Sequence, residues 1–243
     1  MKPGSLIIVS SICATLVAGC GGGGGNGSSQ APPVSPAAAT NLSSAPGAMA
    51  MATYRQGAHK YTLKASNGAN SYTLRVSNVP NAGTTKFNGA APAYSSVDTV
   101  TLDENGVMIA NSVSTDYFLL NPYVLLGRVS GTGSPYGVVI SSSPLPTTLE
   151  VGSSGDMDSL TDYHDSSMSM LDAQEDDTYS VKANNTTTLL LCEDSSITNV
   201  TAQGTADDLV DDSAKDCYTM DAAGNAALVS VTLTVNGVPL TFE

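Results

Sequence analysis

Apolar and polar residues alternate with a period of two along much of the chain after residue 54. This alternation is typical of β-strands that pack one face against a core. The clearest cases are paired runs around an Asn-Gly dipeptide, the strongest short signal for a β-hairpin. The pairs span residues 61–76 around Asn67-Gly68, 97–111 around Asn105-Gly106 and 229–242 around Asn236-Gly237. The pattern therefore predicts three antiparallel hairpins.

Shorter runs of the same kind predict further strands at residues 117–120, 123–127, 136–140, 179–183, 186–192 and 216–220. Only two segments, 166–174 and 205–212, are helix candidates, and both are short. Many short strands joined by Gly, Asn and Pro turns predict an all-β fold, either an antiparallel β-sandwich or a barrel-like domain. We expect one β-rich domain over residues 52–243, with a subdomain boundary near residues 144–146 as the alternative.

The first 19 residues have the pattern of a secretory signal peptide, with a positive charge at Lys2 followed by an apolar run from Leu6 to Val17. The run is about a dozen residues long, whereas a membrane-spanning helix needs about 20. It ends in Val17-Ala18-Gly19-Cys20. This tetrapeptide resembles the lipobox of bacterial lipoproteins, and the resemblance covers the signal and not the mature domain.

The resemblance implies that the Cys20 thiol takes a diacylglyceryl group, that residues 1–19 are removed, and that the new amino terminus is acylated, for example with palmitate. Gly21 stands where lipoproteins retained in the inner membrane usually carry Asp, which implies an outer-membrane lipoprotein facing the periplasm or the cell surface. More than one acyl chain makes such an anchor stable. Residues 20–51 are rich in Gly, Ser, Ala and Pro, and we expect a flexible linker there.

The chain has four cysteines. If Cys13 leaves with the signal peptide and Cys20 carries the lipid, Cys192 and Cys217 remain. Export to an oxidising compartment then favours a disulfide between these two. The alternative is a pair of metal-binding thiolates, but no further ligands stand at zinc-like spacing.

The formal net charge is −13, and most of the 22 acidic residues lie between Glu150 and Asp221. Nucleic acid is therefore an unsuitable partner, because binding to phosphates requires basic patches. A solvated acidic face is the simplest interpretation of the charge. The sharper interpretations are binding of divalent cations or docking to a basic partner.

The densest polar cluster, residues 156–165, contains the carboxylates Asp156, Asp158 and Asp162, which are weak candidates for calcium ligands. The segment departs from the EF-hand pattern because Leu160 occupies a ligand position. His164 suggests two further hypotheses, a hydrolase triad with a distant Ser, or copper binding with Met157, Met168 and Met170. The sequence contains no Gly-x-Ser-x-Gly motif for such a hydrolase.

No motif indicates a cofactor or an enzyme. We expect a lipid-anchored, non-enzymatic binding or adhesive module whose Ser-, Thr- and Asn-rich strand faces recognise a glycan, a peptide or another envelope protein. The alternative is an envelope-assembly or lipid-carrier lipoprotein, which would require an apolar cavity.

Overall fold

The computed structural model describes residues 41–243, apart from the side chains of residues 90–92. Fifteen strands and two short helices make up this part of the chain. In chain order they are β1 (Ser44–Pro46), α1 (Ala48–Arg55), β2 (His59–Asn67), β3 (Asn70–Pro80), β4 (Thr85–Phe87), β5 (Ala90–Glu104), β6 (Val107–Leu120), β7 (Tyr123–Ser130), β8 (Tyr136–Ser142), β9 (Thr148–Glu150), β10 (Ser154–Tyr163), β11 (Leu171–Ala183), β12 (Thr188–Thr198), α2 (Ala202–Ala206), β13 (Asp212–Asp221), β14 (Ala226–Val235) and β15 (Val238–Phe242).

The main sheet is an antiparallel meander in which strands pair in nearly the order in which they occur in the chain. β2 and β15 form its two ends. They meet through a reciprocal pair of backbone hydrogen bonds, Lys64 N–H to Glu243 O at 2.8 Å and Glu243 N–H to Lys64 O at 3.0 Å. The sheet therefore curls into a nearly closed barrel, which confirms the predicted all-β, barrel-like fold.

All three predicted hairpins are present, as the pairs β2–β3, β5–β6 and β14–β15. In the second and third, both residues of the Asn-Gly turn have positive φ, for example 52° at Asn236 and 77° at Gly237. This geometry matches the twist of the flanking strands, and Asn and Gly adopt it at the lowest steric cost.

The linker prediction for residues 20–51 is wrong over its last residues. β1 pairs with β9, and α1 has four buried residues, among them Met51 and Tyr54. α1 contacts both β7 and β14, which lie far apart in the sheet, so the helix lies inside one part of the barrel. Its Ala-rich sequence resembles linker composition, but Ala is also the best helix former and lets the helix approach the walls closely.

The segment around residues 144–146 does not divide the sheet. β8 and β10 lie on either side of it and pair directly with each other. Leu145 is buried in the core, and the Pro146 carbonyl accepts a hydrogen bond from the Ala48 N–H at 3.0 Å. The segment therefore folds onto the barrel beside α1.

The predicted helix at residues 166–174 is absent, because these residues form a loop and the start of β11. The second candidate, residues 205–212, is replaced by the one-turn helix α2 at Ala202–Ala206. Thr201 caps that helix, since its side chain accepts a hydrogen bond from the Gly204 N–H at 3.1 Å.

The barrel interior changes character along its length. On β12 the inward residues run from Leu189 and Leu191 to Glu193 and Ser195, and paired residues on β11 change at the same level. We call the level of Leu191 the apolar end, and it also includes Met51, Leu74 and Phe242. We call the level of Glu193 and Ser195 the charged layer. A second small cluster of Ala173, Ile197 and Leu209 lies under α2, beyond the charged layer.

Cys20 and the whole signal sequence lie outside the described residues, as does most of the predicted linker. Within residues 41–243, neither helix has the length and apolar character that crossing a membrane requires.

Candidate functional site

A polar groove of about 550 Å³ runs over strands β10 to β13. Its side chains point away from the barrel core, because they alternate with buried residues such as Tyr179 and Val181. The outward side chains of the lining end in hydroxyl or carboxylate groups. The groove residues with polar outward side chains are Ser154, Asp156, Asp176, Thr178, Ser180, Asp194, Ser196 and Ser213.

Strand register places the groove residues in rows across the sheet. Thr178 pairs with Asp156 on one side and with Asp194 on the other, and Asp194 pairs with Lys215. The Lys215 ammonium donates to Asp194 Oδ1 at 2.7 Å. One end of this row is therefore neutralised by an ion pair, while Asp156 at the other end is exposed.

The disulfide predicted between Cys192 and Cys217 is present, with an S–S distance of 2.10 Å. It joins directly opposed residues of β12 and β13 in the row next to that of Asp194. Both cysteines are buried, yet neither belongs to the core clusters. The bond therefore ties together two strands that form the groove floor.

The charged layer begins at Arg55, the last residue of α1. Its guanidinium Nη1 donates to Asp98 Oδ2 at 3.0 Å and lies 3.5 Å from Asp116 Oδ2. The second oxygen of Asp98 accepts a hydrogen bond from the Asn78 amide at 2.8 Å. Arg55 thus fixes the end of the helix to β5 and β6 from inside the barrel.

Arg128 on β7 continues the layer towards β11. Its Nη1 lies 2.9 and 3.2 Å from the two oxygens of Glu175, which is almost fully buried. The Ser195 hydroxyl contacts both Glu175 and Asp177 and can donate its single proton to either of them. Two guanidinium groups therefore hold together a larger set of inward carboxyl groups.

The surplus of carboxyl groups changes their acidity. Burial raises the pKa of Asp158 to about 6 and that of Glu193 to about 7, because both carboxylates lose solvation inside the barrel. Burial, followed by repulsion from Glu175, raises the pKa of Asp162 to about 7. Asp158 Oδ1 and Glu193 Oε1 are buried and have no hydrogen-bond partner within the described part of the chain. These carboxyl groups are therefore partly protonated near neutral pH.

The three calcium candidates do not converge. Asp156 lies on the outer groove, whereas Asp158 and Asp162 are buried inside the barrel. A register irregularity in β10 between residues 156 and 159 separates them. Asp156 lies on the opposite face of the sheet from Asp158 and Asp162, so the three carboxylates cannot bind one ion. The calcium hypothesis for this set is therefore wrong.

His164 lies at the edge of the charged layer. Its Nδ1 is 2.6 Å from Asp207 Oδ2, and the pKa of the imidazole is raised by this hydrogen bond. Asp172 is close enough that one nitrogen or oxygen atom from each of the three residues lies within 4.8 Å of the others. Met168 and Met170, the proposed copper partners of His164, are exposed side chains.

Sequence reasoning missed Arg55, Arg128, Asp172 and Asp207. The sequence contains a weak signal for the two arginines. The chain has only 9 Lys and Arg residues but 22 Asp and Glu residues, so each basic side chain has many acidic residues with which it could pair. Nothing local marks Asp172 or Asp207, because they come together with His164 only through the fold.

Comparison of the chain with protein-family models, with curated proteins and with solved structures finds no match.

Proposed function

We propose that the protein is a non-enzymatic binding module of the cell envelope, anchored through a lipidated Cys20, and that the outer groove binds a neutral or amine-bearing glycan. The observation that carries the proposal is the groove itself. Its volume of about 550 Å³ falls in the range of about 300–1,000 Å³ that is usual for small-molecule sites.

The lining chemistry selects the ligand class. Serine and threonine hydroxyls both donate and accept hydrogen bonds, and ionised Asp carboxylates accept them, so the groove complements the hydroxyls of a sugar. Three carboxylates, those of Asp156, Asp176 and Asp194, repel anionic ligands. One of these, Asp194, is already paired with Lys215. Neutral and amine-bearing sugars therefore suit the groove better than sulfated or carboxylated ones.

The interior gives less support to the alternative function, a lipid carrier. Two cavities inside the barrel measure about 100 and 70 Å³, and charged residues including Arg55, Arg128 and Glu175 line them. An acyl chain requires a larger apolar space. α1 and the apolar end occupy the part of the interior where such a space would otherwise lie.

Binding of defined oligosaccharides by the full chain in detergent tests the groove. We expect a neutral or amine-bearing oligosaccharide to bind, and a sulfated one of the same length to bind at least about tenfold more weakly. Thr178→Trp fills the groove and should abolish binding, whereas Thr62→Trp places the same side chain on the exposed face of β2 and should not. Tight binding of the sulfated sugar, or equal binding by both variants, contradicts the proposal.

The tether is tested separately by Cys20→Ala. Without a thiol to acylate, the protein should leave the membrane fraction and appear in the soluble fraction. A Cys13→Ala variant is the matched control and should stay with the membrane. Membrane retention of the Cys20→Ala protein would show that something other than this lipid holds it.

A further inference from the structure

Three separate elements deliver His164, Asp172 and Asp207 to one place. His164 follows β10, Asp172 is the second residue of β11, and Asp207 follows α2. A histidine nitrogen and a carboxylate oxygen from each acid lie within 4.8 Å of one another. Two ligand atoms that each lie about 2.0–2.2 Å from a metal ion are at most about 4.4 Å apart. Small side-chain rotations therefore suffice to place all three around one ion.

Asp172 is the residue that most needs a partner. Its side chain is 0% exposed, and within residues 41–243 no amide, hydroxyl or cationic group donates to either carboxylate oxygen, while the neighbouring Asp207 carboxyl repels it. Burial of a polar group without a partner is unfavourable, and burial of a charged group is more so. Its carboxylate faces His164 and Asp207, so an ion bound between them would supply the missing partner.

The ring nitrogen of His164 that faces the cluster has two polar neighbours. Its Nδ1 lies 2.6 Å from Asp207 Oδ2 and 3.2 Å from the Gln203 amide nitrogen. One ring nitrogen carries either a proton or a lone pair, so it cannot donate to the carboxylate and accept from the amide at once. Because the Gln203 amide donates to Asp207 at 3.1 Å, it does not occupy the ring nitrogen, which can either donate to Asp207 or give its lone pair to a metal ion.

We propose that His164, Asp172 and Asp207 form a binding site for one divalent transition-metal ion of the zinc class, each residue giving one ligand atom and water completing the coordination. One imidazole with two carboxylates is a mixed nitrogen and oxygen set, which suits Zn²⁺ or Co²⁺, whereas Ca²⁺ prefers oxygen ligands alone. His164 keeps about a third of its side chain exposed, at 34%, and this opening gives the ion access.

The bound ion would fasten α2 and the β10–β11 loop to the end of the barrel. Both lie beside the small apolar cluster of Ala173, Ile197 and Leu209. Because the ion binds three elements that are distant in sequence, it binds the folded chain far better than the unfolded one and should raise the melting temperature.

The test is a titration of Zn²⁺ and Co²⁺ into the full chain in detergent after removal of metal with a chelator. We expect one ion per chain, with visible d–d absorption from bound Co²⁺ that reports the coordination directly. Asp172→Asn and His164→Gln should each weaken binding by at least about tenfold. Asp208 directly follows Asp207 but lies outside the cluster. Asp208→Asn removes the same charge as Asp172→Asn, and this variant should bind Zn²⁺ with an affinity within about twofold of the wild type.

Several results would overturn the proposal. They are no Zn²⁺ binding at millimolar concentration, tighter binding of Ca²⁺ than of Zn²⁺, or equal losses from Asp172→Asn and Asp208→Asn. The two ligand variants are read independently, so a folding defect in one still leaves the other decisive. Glycan binding in the groove involves other residues and is measured separately.

Discussion

The apolar end and the charged layer of the barrel interior are built on the same strands but are held together differently. At the apolar end, side chains such as Leu74 and Phe242 are fully buried against one another. In the charged layer, Arg55 and Arg128 are each shared between two carboxylates. Burial of apolar area stabilises at every pH, whereas the charged layer depends on which of its carboxyl groups are ionised. One barrel therefore combines a part whose contribution to stability is independent of pH with a part whose contribution depends on pH.

The largest effect is expected from Phe242→Ala at the apolar end. Removing a fully buried ring should lower the free energy of unfolding by about 3–5 kcal/mol, equally at pH 5 and pH 8, as measured by urea denaturation. Val238→Ala on the same strand is the control, because Val238 is exposed, and it should change stability by about 0.5 kcal/mol or less. A strongly pH-dependent loss of unfolding free energy in Phe242→Ala would contradict the assignment of the apolar end as the pH-independent part.

Arg128→Met is the matching test of the charged layer. It leaves buried Glu175 without its guanidinium and Asp116 with that of Arg55 alone, and loss of one partner of a buried ion pair costs about 3–5 kcal/mol. The loss should be smaller at pH 5 than at pH 8, because the abandoned carboxyl groups then take up protons. Arg75→Met removes an exposed guanidinium from Asp103 and should cost about 1 kcal/mol or less. Equal losses of unfolding free energy at pH 5 and pH 8 would contradict the assignment of the charged layer as the pH-dependent part.

Glu193→Gln is expected to stabilise the protein at alkaline pH. The native pKa of Glu193, about 7, lies above the unfolded value of about 4.3. The native state therefore binds more protons between these values, and the free energy of unfolding falls as the pH rises through this window. The neutral amide avoids this cost, so we expect a gain of about 2 kcal/mol at pH 8 and little change at pH 4. Unfolding curves at several pH values measure it, and an unchanged pH slope would refute it.

Asp156→Asn in the groove should have the smallest effect on stability, about 0.5 kcal/mol or less, because Asp156 is exposed. Thermal unfolding at pH 7 measures this, with Asp158→Asn on the inner face as the contrasting variant. Burial raises the pKa of Asp158 to about 6, so the amide there should stabilise the protein at pH 8. Similar changes in melting temperature for the two variants would mean that Asp156 and Asp158 lie in the same environment.

The charged layer also explains which parts of the sequence were misread. In β10 and β11 the inward residues Asp158, Asp162 and Glu175 are as polar as the outward ones. The alternation of apolar and polar residues that identifies a half-buried strand is therefore lost there. For this reason the sequence predicts no strand over β10, and of β11 it predicts only residues 179–183 as a strand, while the start of β11 is assigned to a helix over residues 166–174.

The sequence by itself determined the features that depend on local chemistry or on a strict repeat. These are the three Asn-Gly hairpins, the all-β class and the choice of Cys192 and Cys217 as the cysteines available for pairing. Local dihedral preferences and the two-residue period of a strand are encoded within a few residues. The lipobox resemblance at Cys20 is equally local and stays a prediction.

Only the tertiary structure decided which polar residues face inward and which distant residues meet. It put Arg55, which follows the predicted linker, inside the barrel, separated Asp156 from Asp158, and brought His164 to Asp172 and Asp207. A polar side chain carries no local mark of its burial, because the partners that make burial tolerable come from strands far away in the chain.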